Sequence, residues 1–130
     1  MLVTSKGTPR VLIVEDEPNI VLSLEILLRR AGYETASTGD GEEAMELIRR
    51  TRPDVVLLDI MLPKQNGYEV CRSVKSEPTL SSIPIIMLTA KGQEVEMLKG
   101  LELGASAYIA KPFGNAEVLE AVRAALESRA

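Results

Sequence analysis

Apolar positions along this chain fall into two alternating patterns. Unbroken blocks occur at Val11 to Val14 (VLIV), Val55 to Leu58 (VVLL) and Ile85 to Leu88 (IIML). Short continuous blocks rich in β-branched residues suit strands buried on both faces of a parallel sheet. Two weaker candidates are Tyr33 to Thr38 (YETAST), which is more polar, and Ala107 to Ala110 (AYIA), which is short.

Between these blocks the apolar spacing becomes helical. Ile20, Leu24, Leu27, Leu28 and Ala31 form one stripe, with Pro18 near its start and Gly32 as its stop. Asp40 with Glu43 reads as a capping box before Ala44, Leu47 and Ile48. Asn66 is placed to cap a helix through Val70, Cys71 and Val74, ended by Pro78. Val95, Leu98 and Leu101 mark a fourth helix ended by Gly104. Asn115 is expected to cap a fifth, with Val118, Leu119, Val122 and Leu126 on one face.

Strand and helix therefore alternate about five times, which predicts a doubly wound α/β fold of flavodoxin-like (βα)5 type. The three most apolar strands belong in the centre, and the polar second and short fifth at the edges. The order 2-1-3-4-5 satisfies this and sets a topological switch point between strands one and three. Ligands of such sheets bind beyond the carboxyl ends of the strands at that crevice.

The strand ends carry the chemistry. Strand one is followed by Glu15, Asp16 and Glu17, and strand three by Asp59. So many carboxylates in one crevice need compensation, and a divalent cation such as Mg²⁺ supplies it. Taken alone, Glu15 to Glu17 reads equally well as a solvated acidic helix start. Asp59 differs, because an idle charge at the end of a buried strand is costly. Strand four ends in Thr89-Ala90 and strand five in Lys111-Pro112-Phe113. Singly these are an ordinary turn threonine and a solvated lysine. Together, acid, acid, hydroxyl and ammonium form a phosphoryl-transfer constellation.

Composition narrows the classes. The 130 residues suffice for one domain with its own core, with 45% hydrophobic and 26% charged residues. No apolar run approaches the ~18 residues of a membrane span. Histidine is absent, which removes serine–histidine triads, cysteine–histidine dyads and the usual zinc sites. A net charge of −4 argues against direct nucleic-acid binding by this domain. The single cysteine, Cys71, cannot form an internal disulfide, which fits a reducing compartment, and it is expected in or near the core. Gly39, Gly41 and Ala44 match G-x-G-x-x-A, the fingerprint of a dinucleotide loop. Asp40, Glu42 and Glu43 crowd that turn with negative charge, and it follows the second strand, so a cofactor loop is not expected there. Residues 1–8 are expected to form a disordered lead rather than a signal peptide, with the domain running from 9 to 130.

VLIVEDEP, DVVLLDIMLP, NGYEV, IPIIMLTA and GASAYIAKPF occur in one order and spacing. With them, roughly Pro9 to Ser128 resembles the response-regulator receiver domain of two-component signalling, the module of the chemotaxis regulator CheY. The resemblance implies that Asp59 is the phosphoacceptor. Asp16, Asp59 and the Met61 main-chain carbonyl would bind Mg²⁺. Glu15 would act indirectly, through a metal-bound water or Lys111. Thr89 and Lys111 would hold phosphoryl oxygens, and the Lys111–Pro112 bond would be cis. Thr89 and Tyr108 would form the switch that changes the face of the fourth helix, fifth strand and fifth helix. The implied partners are a sensor histidine kinase or phosphotransfer protein and an output partner or effector domain, with no membrane contact. The implied location is cytoplasmic.

Several positions depart from common family patterns. Ser106 and Ala107 stand where many DNA-binding regulators carry acidic residues for dimer pairs, which puts that dimer in doubt. Asn66 stands where Asp is frequent. Met61 and Lys91 occupy the two positions that influence acyl-phosphate lifetime, and Met61 has no side-chain group to orient water. Slow autodephosphorylation is therefore expected. Two competing readings are a pseudo-receiver locked in one state and a Mg²⁺-dependent phosphohydrolase. The complete acidic set with Thr89 and Lys111 disfavours the first, and the short length disfavours the second.

Overall fold

A computed structural model describes residues 7–62, 66–90 and 101–128. The sheet strands are β1 (Arg10–Val14), β2 (Glu34–Thr38), β3 (Val55–Asp59), β4 (Ile85–Thr89) and β5 (Ala107–Ala110). The helices are α1 (Pro18–Arg30), α2 (Gly41–Thr51), α3 (Gly67–Ser76) and a C-terminal helix (Asn115–Ser128). The sheet is parallel with order β2-β1-β3-β4-β5, as the burial pattern of the strands predicts.

The three apolar blocks are central because both of their faces are covered. Alternate residues point to opposite layers. Leu12, Val14, Val56 and Leu58 pack with Ile48 of α2 and Val70 of α3. Val11, Ile13, Val55 and Leu57 pack with Leu28 of α1 and Val122 of the C-terminal helix. Cys71 is buried in the first layer, where burial pushes its thiol up from the ordinary value.

Helix boundaries follow local chemistry. Pro18 takes the first turn of α1 and supplies a preset φ. The chain leaves α1 through Gly32 at φ +99, a left-handed conformation that glycine adopts without a Cβ clash. Asn66 and Glu69 close a full capping box on α3. At α2 the box closes through an extra residue. Asp40 accepts from the Glu42 amide at 2.8 Å, while the Glu43 carboxylate accepts from the Thr38 hydroxyl. That hydroxyl oxygen in turn accepts from the Asp40 amide at 3.2 Å.

Two expectations change. Asn115 is the first residue of its helix rather than its cap, and Gly114 precedes it with its carbonyl accepting from the Val118 amide. The second strand begins at Glu34, one residue after Tyr33. Val95 and Leu98 of the fourth expected helix lie outside the described residues, as do Lys91 and residues 1–6 of the expected lead. Helix is present at Leu101 and Glu102, and Gly104 at φ +107 marks the predicted stop. No described helix is long and apolar enough to cross a membrane.

Candidate functional site

The switch point lies between β1 and β3, which pair from Val11↔Val55 to Val14↔Leu58. Both strands end at the same edge. β1 delivers Glu15 and Asp16, and β3 delivers Asp59. Ligand oxygens of these three carboxylates lie within 4.8 Å of one another. β4 and β5 end beside them. The Lys111 amide donates to the Thr89 carbonyl at 2.7 Å, which fixes Lys111 next to the end of β4. The Lys111–Pro112 peptide is cis.

Burial is uneven. Glu15, Asp59 and Thr89 are 2%, 5% and 3% exposed, whereas Asp16 is exposed. The Lys111 ammonium binds the two buried acids, 2.8 Å from Glu15 Oε1 and 3.4 Å from Asp59 Oδ2. The Met61 amide donates to Asp59 Oδ1 at 3.1 Å. The Glu17 amide donates to Glu15 Oε2 at 3.1 Å.

Two buried acids share one ammonium. Burial, then repulsion from Glu15, pushes the Asp59 carboxyl up to about 6, against opposing pulls from Lys111 and the Met61 amide. Burial alone would lower the Lys111 ammonium, but its pairing with Glu15 and Asp59 outweighs this and holds it above the ordinary lysine value. The site is thus short of positive charge. Its ligand atoms are hard carboxylate oxygens, and those of Asp16 are exposed. That set fits Mg²⁺, which prefers a few carboxylates, a carbonyl and waters.

The remaining sequence-predicted residues fall as follows. Met61 follows β3 and is exposed. Tyr108 is 42% exposed on β5, paired in register with Met87 of β4, and so stands outward in this state. A groove of 550 Å³ opens beside the acids, with Ile20, Ser23, Ala90, Lys111 and Phe113 among its lining residues.

Sequence reasoning did not single out Thr38 as part of the site. It is buried at the end of β2, and its carbonyl accepts from the Glu15 amide at 3.0 Å, so it anchors the acidic loop. A buried hydroxyl at the carboxyl end of a neighbouring strand is the signal that could have found it. Gly39 does not serve a dinucleotide loop. A Cβ there would lie 3.1 Å from Asp16 Cα, so its bareness lets the turn pack on the acidic loop.

Comparison with known proteins places this geometry. Residues 11–123 match the response regulator receiver domain family. The DNA-binding response regulator MtrA of Mycolicibacterium smegmatis is 47% identical over 117 residues, covering 90% of this chain and 50% of that protein. The chain thus spans about half the length of such relatives. A candidate response regulator from Chloroflexus aurantiacus has a TM-score of 0.90 at 38% identity, covering 93% of this chain and 99% of that one. The receiver domain of a Pseudomonas aeruginosa sensor histidine kinase has a TM-score of 0.86 at 32% identity, covering 94% of this chain and 100% of that one. Its structure holds a magnesium ion coordinated in the active-site cleft.

Proposed function

The chain belongs to the response regulator receiver domain family, a family of signalling switches, and from that premise we propose that it accepts a phosphoryl group on Asp59 in a Mg²⁺-dependent step. The observation that carries this is the meeting of Glu15, Asp16, Asp59 and Lys111 at the switch point.

The donor is a phosphohistidine on a sensor kinase or phosphotransfer protein, or a small phosphodonor; this chain, which has no histidine, does not supply it. An Asp59 oxygen attacks phosphorus in line. A P–O bond forms to Asp59; with phosphohistidine the P–N bond breaks and the imidazole leaves with the electron pair, and with acetyl phosphate a P–O bond breaks and acetate leaves. The groove along α1 and Phe113 supplies the approach. Lys111 stands where its ammonium can turn from Asp59 to a phosphoryl oxygen. Asp16, Asp59 and the Met61 carbonyl would hold Mg²⁺, with Glu15 acting through a water. The ion, when bound, supplies positive charge to the phosphoryl oxygens.

The signal is a population shift. Thr89 bonds the new phosphoryl group and moves inward, and Tyr108 turns in from its outward position. Hydrolysis of the acyl phosphate resets the domain slowly, because the Met61 side chain cannot orient water. The output lies in a partner or in an effector domain beyond this chain, and the setting is cytoplasmic.

Bond chemistry tests the acceptor. Label taken from acetyl phosphate should be released by neutral hydroxylamine, which cleaves acyl phosphates and leaves phosphate esters intact. Label that survives hydroxylamine would place the phosphate on a hydroxyl such as that of Thr89 and overturn the proposal.

A further inference from the structure

Three described glycines lie where a Cβ would meet another group at short range: Gly39, Gly67 and Gly104. Gly104 has a positive φ, and its neighbour is the Lys75 side chain, away from the acids. The other two have no positive φ, so conformational freedom does not account for them. Space does. A Cβ on Gly67 would lie 2.4 Å from the Asp59 carbonyl oxygen and 2.8 Å from Ile60 Cα. A Cβ on Gly39 would lie 3.1 Å from Asp16 Cα and 3.3 Å from Asp16 Cβ. Each glycine presses on the main chain of one of the two carboxylates assigned to the cation.

We infer that Gly39 and Gly67 are positioning residues that fix the spacing of the Asp16 and Asp59 carboxylates, and thereby select Mg²⁺ over larger divalent cations. The inference rests on the Mg²⁺ site proposed above. Both contacts are held rigidly. On one side the Gly67 amide donates to the Ile60 carbonyl at 2.9 Å, and the Asn66–Glu69 capping box fixes the start of α3. On the other, Thr38 binds the Glu15 amide through its carbonyl and Glu43 through its hydroxyl. An added methyl therefore moves a ligand loop rather than a loose turn. Mg²⁺ demands near-octahedral oxygens at about 2.0–2.1 Å, whereas Ca²⁺ accepts about 2.3–2.6 Å in flexible geometry. Displacing one carboxylate penalises Mg²⁺ more.

The test is calorimetric titration of the whole chain with Mg²⁺ and, separately, Ca²⁺. Gly67→Ala should weaken Mg²⁺ binding roughly tenfold, as loss of supporting contacts at metal sites does. Gly39→Ala should weaken it less, because its contact is softer. Ca²⁺ affinity should change far less in both. Gly114→Ala, where a Cβ meets nothing within 4 Å, should leave both affinities unchanged. A merely structural role would not move the Mg²⁺/Ca²⁺ ratio. Unchanged Mg²⁺ affinity, or parallel loss of both cations, overturns the inference. Should Gly67→Ala not fold, the same ratio in Gly39→Ala decides. A parent chain that binds no Mg²⁺ overturns the site and the inference together, while a parent that binds with unaltered variants overturns the inference alone.

Discussion

Asp59→Asn should stabilise the metal-free protein. The wild-type carboxyl is pushed from 3.8 up to about 6 by burial and by Glu15. At pH 7.5 it is ionised in both folded and unfolded states, so the folded state carries the unfavourable charge. A shift of that size corresponds to about 3 kcal/mol. For a chain of 130 residues this converts to a rise in Tm of roughly 10 °C. The sign fixes the pH dependence. Between pH 3.8 and about 6 the folded state binds more protons, so wild-type stability falls as pH rises through that window. The advantage of the variant is therefore full above pH 6 and fades as pH falls toward 3.8. Mg²⁺ should raise the wild-type Tm by binding the folded state and raise that of the variant much less. Thermal unfolding followed by circular dichroism, in chelator and in Mg²⁺ across pH, reads all of this. An equal or lower Tm for Asp59→Asn at pH 7.5 in chelator would refute the electrostatic account of the site.

Lys111→Ala leaves the buried Glu15 and Asp59 facing each other without a cation. It should lose at least ~3 kcal/mol at pH 7.5, the scale for breaking a buried pair, with recovery as pH falls. A urea midpoint equal to that of wild type would count against it. Asn66→Ala removes the cap that accepts from the Glu69 amide at 3.1 Å and should cost about 1 kcal/mol. No change in urea unfolding would show that the cap is idle. The acyl phosphate should outlast that of fast chemotaxis regulators, since Met61 presents no polar side-chain group to water. A half-life of seconds in Mg²⁺ buffer would reject this.

The central strands are legible from sequence because a parallel sheet covered on both faces demands unbroken apolar runs. VLIV, VVLL and IIML map onto β1, β3 and β4 within a residue. Strand order followed from the same burial argument, and order located the crevice. The acids and Lys111 were legible because each ends a strand or lies within two residues of its end. Three features were not. The close approach of Gly39 to Asp16 and of Gly67 to Asp59 and Ile60 depends on how loops fold back on the strand ends, which no spacing rule gives. The path from Glu43 through Thr38 to Asp40 depends on a hydroxyl whose direction no spacing rule gives. The start of the C-terminal helix at Asn115 rather than after it reflects Gly114 serving as the flanking residue, a choice the composition Gly-Asn leaves open. Tyr108 follows edge-strand alternation. Its neighbour Ile109 takes the core side, which leaves the ring outward.

Intact mass after incubation with acetyl phosphate and Mg²⁺ tests the central claim most directly. The account predicts one added phosphoryl group, absent when Mg²⁺ is omitted and absent in Asp59→Asn. Addition that persists in Asp59→Asn, or none to a folded chain that binds Mg²⁺, would contradict it.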